Sequence, residues 1–187
     1  MDYINSVLDI FQADPISQSL GILGFIASII TFYVVSDKYF VYMMIVASVF
    51  WGAHFFGLGL LSAAYINIFD VFKNAASLKW KRNKQVTAGI VLIYLVIGYF
   101  TFDGELVSTI PIITSVLGTF ILFFLEGIKL RLGFMVILIL WFIYNYVGQS
   151  IGGVMSDLTL MIVGLIGIMR IVFHLEKKKN TEEKASS

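Results

Sequence analysis

The sequence predicts an all-α membrane protein. It has seven transmembrane helices in a 3+1+3 plan, two parallel three-helix bundles joined by one connector helix. Three observations carry this. Apolar residues fall into seven blocks, each near the ~20 residues that a bilayer crossing needs. Basic and acidic residues separate to alternate ends of those blocks. Two stretches 90 residues apart line up without a gap, as an internal repeat would.

Composition sets the class first. Of the 187 residues, 59% are hydrophobic, and mean hydropathy is +0.91. Soluble domains stand at roughly 45–50% apolar, and here the excess sits in long blocks. The net charge of +1 gives no reason to expect nucleic acid as a partner. With no cysteine in the chain, disulfides, thiolate metal sites and Cys nucleophiles are excluded. There is no His-Glu-x-x-His, Gly-x-Ser-x-Gly or P-loop, and the two histidines are far apart. The expectation is therefore no enzyme, no cofactor and no metal.

Residues 1–15, "MDYINSVLDIFQADP", contain no Lys or Arg and three Asp. That is not the basic start of a signal peptide. Ile4, Val7, Leu8 and Phe11 have helical spacing, so either a short interfacial helix or a frayed extracytoplasmic segment fits. The spans follow at 16–35, 39–57, 60–79, 86–102, 106–125, 131–148 and 151–174. Asp14-Pro15 opens the first, with Asp as N-cap and Pro in the first turn. "VSDKY", "GLGL", "DGEL" and "GQSIGG" leave room only for tight turns. Pro111 could kink the fifth span, although a tolerated first-turn proline is the commoner explanation. Residues 175–187 form a polar cytoplasmic tail, expected to be disordered.

The charges set a direction. With the N-terminus outside, inner ends carry Lys38; Lys79, Lys81, Arg82 and Lys84; Lys129 and Arg131; and Arg170, Lys177, Lys178, Lys179 and Lys184. Outer ends carry Asp2, Asp9, Asp14, Asp103 and Glu105. Of 13 basic residues only Lys73 breaks the pattern, which is the positive-inside rule.

Lys73 lies in the third span, the least apolar of the seven. At about 100° per residue, Ala63, Asn67, Asp70, Lys73, Asn74 and Ser77 share one face, while Tyr65, Ile68, Phe69 and Phe72 take the other. A charge facing lipid at this depth costs ~2.5–3.5 kcal/mol or more, so the polar face must turn into the protein or into water. Asp70 and Lys73, at i and i+3, could simply neutralise each other while Lys73 snorkels to the inner face. Asn67 and Asn74 favour a pocket for a polar solute, because an ion pair alone does not need them.

The repeat places 16–79 and 106–174 as the two bundles and 86–102 as an uncharged connector on the outside. "WGAHFFGLGLLSAAYIN" aligns on "WFIYNYVGQSIGGVMSD", matching Trp51 to Trp141, His54 to Tyr144 and Asn67 to Asp157. Parallel repeats are one recurring transporter plan, with the site near the midplane between them. Gly21, Gly24, Gly57, Gly59, Gly148, Gly152, Gly153, Gly164 and Gly167 mark expected close contacts.

"GILGFIASIITFYVVSDKYF", "GAHFFGLGLLSAAYIN", "PIITSVLGTFILF" and "YNYVGQSIGG…MRIVF" resemble the YgjV family of bacterial inner-membrane proteins over roughly residues 20 to 174. His54-Phe55-Phe56 and Ser150-Ile151-Gly152-Gly153 are the most specific parts. That family is similar to the wider group of SWEET sugar transporters, PQ-loop proteins and PnuC-type vitamin carriers. The resemblance implies the same 3+1+3 plan with the N-terminus outside. Asp70 and Lys73 stand where YgjV-like chains carry an Asn-x-x-Arg pattern. Gly164 and Gly167 stand where those chains tend to have Asn, the counterparts of SWEET pocket asparagines, which weighs against a sugar; Arg170 and Asp157 match. No Pro-Gln pair occurs.

Further candidates lie elsewhere. His54 could titrate or bind solute, but a structural hydrogen bond is the plainer role. Asn145 and Gln149 could line an outer vestibule or cap a helix end. Asp157, the second intramembrane acid, is a default site candidate; its plainer role is a hydrogen bond to Ser156 or Thr159. Trp51, Trp141, Tyr144 and Tyr146 fit an outer aromatic belt, and could also stack on a ring-bearing solute. The expected function is passage of a small polar metabolite, such as a sugar or vitamin, by alternating access. Asp70 and Lys73 would be the central pair, with Asn67, Asn74, Asp157, His54, Tyr144 and Asn145 around them. The other class is a non-transporting inner-membrane sensor or assembly partner with a structural Asp70–Lys73 pair. The expected partners are the lipid bilayer and the solute; a homo-oligomer stays open.

Overall fold

The computed structural model describes residues 14–58, 61–102, 104, 106–147 and 151–186, excepting the side chains of 61–62, 108, 145, 151–153 and 176–186. The expected N-terminal segment lies outside them, but for Asp14 and Pro15. The described residues form seven α-helices: α1 Pro15–Tyr33, α2 Asp37–Gly57, α3 Leu61–Lys79, α4 Lys84–Thr101, α5 Ile110–Phe124, α6 Gly127–Val147 and α7 Ile151–Ser186. A 3-10 turn, Leu106–Thr109, leads into α5.

Five helices are long and apolar enough to cross a membrane by themselves. The exceptions are α3, which has the length but carries the polar face, and α5, which is apolar but only 15 residues long. These two pack against each other.

The helices are apolar on the outside. On α1 the exposed side chains are Ile16, Ile22, Leu23, Ile26, Ile30 and Tyr33, and the buried ones are Ser17, Gly21, Gly24, Ala27, Ser28, Thr31 and Phe32. Lipid solvates the large apolar groups, and small or hydroxyl residues let neighbouring backbones approach. Gly21 and Gly24 face His54 and Trp51 of α2, and Gly52 faces Ile68 of α3. Gly164 lies against Phe32, and a side chain at Gly167 would meet the Phe32 carbonyl, so α7 docks directly on α1. Gly59 and Gly148 lie outside the described residues.

Contacts run α1–α2–α3–α5–α6–α7 and back to α1, with α4 seated against α3 and α5. The tightest core lies near the end carrying the basic residues. There Phe40, Leu122, Phe123 and Leu130 are fully buried, and the Phe40 ring meets Phe32 and Phe134 at centroid distances of 5.8 and 5.2 Å.

Helix ends explain where the boundaries differ from expectation. Asp14 caps α1, accepting from the Ser17 N–H at 3.0 Å, with Pro15 in the first turn as expected. Asn83 caps α4, accepting from the N–H groups of Gln85 and Val86, so that helix starts two residues before the apolar run. α6 starts at Gly127, whose φ of +57° suits a residue without a side chain; Lys129 and Arg131 therefore lie inside the helix. Pro111 sits in the first turn of α5. The tail expected to be disordered is instead helical as far as Ser186. Its Lys, Glu and Ala content has high helix propensity, and α7 supplies the nucleus that an isolated segment would lack.

Candidate functional site

The polar face of α3 turns inward, toward α2, α4 and α5. Tyr65, Ile68 and Phe72 are exposed on its far side, while Lys73, Asn74 and Ser77 are 3%, 0% and 2% exposed. Lys73 does not snorkel to the inner face. Its Nζ lies 2.6 Å from Asp70 Oδ1, and the same oxygen accepts a hydrogen bond from the Tyr94 hydroxyl of α4. Tyr94 is fully buried; its ring meets Phe69 edge-on at 5.2 Å and lies 5.5 Å from Lys73 Nζ. On the α5 side, Gly118 leaves Lys73 room: a Cβ there would lie 3.9 Å from Nζ. Thr114, Ser115 and Thr119 add buried hydroxyls along that stretch of α5.

Two features set this group apart from a fully satisfied pair. An ammonium has three N–H donors, and Lys73 uses one among the described residues, toward Asp70. Asn74 Nδ2 lies 3.5 Å from Ser48 Oγ of α2, but its buried Oδ1 has no partner among the described residues. Buried polar groups are rarely left so. Chemically, the group offers spare donors and a spare acceptor around a neutralised charge pair.

Other expected residues lie elsewhere. Asn67 donates to its own helix at the Ala63 carbonyl, 2.9 Å away, and its Cβ faces Gly52. His54 is wedged between α1 and α2, with Nδ1 2.6 Å from the Ser17 carbonyl oxygen. Nearby, Trp51 donates to Ser28 Oγ at 3.2 Å, so that cluster joins helices. Tyr144 pairs edge-on with Trp141 at 5.4 Å on α6. Asp157 is buried on α7, which packs on α1 and α6. The side chain of Asn145 and all of Gln149 lie outside the described residues.

Three elements were not anticipated. Tyr94 sits on the helix read as an outer connector, yet reaches the central pair. Its signal was present: Thr87, Ile90 and Tyr94 form the buried stripe of α4, and a buried phenol normally finds a partner. The second is a set of contacts at the basic end. Arg131 of α6, 1% exposed, lies 3.0 Å from Asp37 of α2, donates to the Val34 and Val35 carbonyls at 3.3 and 3.2 Å, and stacks 4.0 Å over Phe40. The Gly127 N–H donates to Asp37 at 2.6 Å, and Arg170 donates to the Tyr33 carbonyl at 2.8 Å. The third is Lys81, which donates to the Leu122 and Leu125 carbonyls at the end of α5. Burial holds its ammonium below the usual lysine range, partly offset by Glu126 and Asp37. These cations satisfy carbonyls left open at the C-termini of α1 and α5, where the helix dipole favours positive charge. Just outside lies a groove of about 620 Å³, lined in part by Asp37, Lys38, Glu126, Lys129 and His174.

Comparison with known proteins fits this architecture. The profile of the Imp-YgjV family, described as a bacterial inner membrane protein, matches residues 15–174. The inner membrane protein YgjV of Escherichia coli (strain K12) is 27% identical over 155 residues, covering 83% of this chain and 84% of that protein. No solved structure matches. With several helices of spanning length and a family profile across nearly all of them, this chain is a multi-pass inner-membrane protein and belongs to the YgjV family.

Proposed function

We propose that the protein moves a small polar metabolite across the inner membrane by alternating access between two three-helix units, α1–α3 and α5–α7, with α4 as connector. The N-terminus would face outward and the basic end the cytoplasm. The observation that carries this reading is the buried group at the α3–α5 join. There Lys73 has spare donors, and the next residue of the same helix, Asn74, which turns to Ser48 of α2, has a buried oxygen without a partner among the described residues. A solute offering both an acceptor and a donor would satisfy both. The neutralised Asp70–Lys73 pair suits a neutral or zwitterionic molecule better than an ion. The contact order supports the two-unit plan, because the units meet through α3–α5 on one side and α7–α1 on the other. Gly167 on α7 occupies space that a side chain would take from Phe32, so an asparagine pocket on that side has no room. This leaves the α3–α5 side as the favoured binding side.

The test is thermal unfolding of the purified protein against sugars, amino acids, nucleosides and vitamins, for wild type and Asp70→Asn. A true solute at a hundredfold excess over Kd stabilises by ~2.7 kcal/mol. The expected result is a shift confined to one chemical class and lost in the variant. The same shift in both proteins would remove Asp70 from the site.

A second reading has its own observation. Asp70 already accepts from both Lys73 and Tyr94, and neither the groove between α4 and α5 nor that at the basic end reaches the pair. On that reading the pair is architectural, and the protein is a sensor or assembly partner. No shift with any compound, together with a variant that unfolds much earlier, would favour it.

A further inference from the structure

We propose that the groove between α4 and α5 is a binding site for an anionic phospholipid of the leaflet at the basic end. The groove encloses about 540 Å³ and runs along Ala88, Leu92 and Leu95 of α4 and Phe120 and Phe124 of α5, with Lys84 at its mouth. Its walls are apolar and open outward: Leu92, Leu95 and Phe120 are 62%, 53% and 47% exposed. The Phe120 and Phe124 rings lie nearly parallel, 24° apart, and present a flat wall. From Lys84 to Leu95 the helix rises about 16 Å at ~1.5 Å per residue. That is the depth of one leaflet of a ~30 Å hydrocarbon core.

The dimensions therefore suit one acyl chain, and the charge at the mouth selects its headgroup. Lys79, Lys81, Arg82 and Lys84 crowd the α3–α4 turn. Three of them are engaged: Lys79 over the Trp80 ring, Lys81 on the α5 carbonyls and Arg82 with Glu126 at 3.6 Å. Lys84 forms no ion pair among the described residues, is exposed, and stands where a phosphate would sit at the interface. Basic pockets between transmembrane helices are a recurring form of lipid headgroup recognition. An anionic lipid here would bridge α4 to α5 and brace the connector against the second unit. This holds whether or not the protein transports.

The test counts bound lipid by native mass spectrometry. The full chain in detergent is titrated with phosphatidylglycerol or with phosphatidylcholine of identical acyl chains. Wild type should bind phosphatidylglycerol more tightly. Lys84→Gln should reduce that preference about fivefold, the worth of one lysine beside an anionic leaflet. Lys84→Arg should keep the preference, and Ala88→Trp, which fills the groove, should weaken binding of both lipids. Equal binding of the two lipids by wild type, or a preference unchanged in Lys84→Gln, would overturn the proposal.

Discussion

Besides the α2–α6 contacts at the basic end, α1–α3 meets α5–α7 at two flanking joins, α1–α7 and α3–α5, and these are built on opposite principles. At α1–α7, glycine brings backbone to backbone: Gly167 leaves room for the Phe32 carbonyl, and Gly164 lies under the Phe32 ring. At α3–α5, Lys73 reaches Gly118 on a stretch of α5 with buried hydroxyls, Asn74 on the same face of α3 turns to Ser48 of α2, and α4 closes the side through Tyr94. One join is close and has little to gain by opening. The other holds desolvated polar groups that are incompletely paired, which is costly unless something completes them. Close packing of small residues suits a hinge; a polar join suits a site.

The largest effect should come from breaking the charge pair on one side only. Asp70→Leu strands a buried ammonium and should destabilise by ~3–5 kcal/mol, whereas Asp70→Leu with Lys73→Met should recover most of that loss. Denaturant unfolding in mixed micelles measures both; a double variant as unstable as the single would mean the pair is not the source. Next, Tyr94→Phe removes a hydrogen bond to a carboxylate and should cost ~1.5–3 kcal/mol. An unchanged midpoint would make α4 a passive connector.

The same substitution at the two joins then separates them. Gly167→Ala pushes a methyl against a backbone carbonyl and should destabilise by ~1–3 kcal/mol or more. Gly118→Ala meets only the flexible Ile137 side chain at 3.4 Å and Lys73 Nζ at 3.9 Å. It should be neutral or slightly stabilising, since Ala is the better helix former by ~1 kcal/mol. Similar midpoints for the two variants would erase the distinction drawn here.

The smallest effect concerns Asp14, whose carboxyl Ser17 holds below its ordinary value of 3.8, through the hydroxyl first and the backbone N–H second. The folded form is thus the stronger acid. Its contribution is full above 3.8 and fades as pH falls through the lowered value. Asp14→Asn should therefore be slightly less stable than wild type at neutral pH, where the carboxylate contributes in full, and the two should converge as pH falls through the lowered value.

Much of the fold was legible because lipid imposes a simple rule, long apolar blocks with charges at their ends. The helix bounds expected from the apolar blocks fall within four residues of those observed, except at the end of α7, which runs on to Ser186. The misses fell at helix ends: Asn83, a preferred N-cap residue, sets the start of α4 two residues before the apolar run, and the charged tail continues α7 as helix. The inward face of α3 was legible for the same reason, as Asp70 and Lys73 have no tolerable place in lipid. The Asp70–Lys73 contact was legible from its i, i+3 spacing, but what else Lys73 meets was not. Its partners Tyr94 and Gly118 come from α4 and α5, and periodicity within one helix says nothing about its neighbours. The roles of Arg131 and Lys81 were hidden by a different ambiguity. A basic residue at the inner end of a span satisfies the topology rule whether it faces water or caps a carbonyl, and only the packing tells these apart.

The most direct measurement uses the absence of native cysteine. Gly118→Cys places a thiol beside Lys73 at a position that accepts a Cβ. Membrane vesicles of both orientations would be treated with a small charged methanethiosulfonate reagent, with denatured protein as the control for full reactivity. If the α3–α5 join is the solute path, this cysteine labels in the folded protein, and the solute that shifts thermal unfolding protects it. If it labels only after denaturation, from neither side before, the join is dry and the transport reading is wrong.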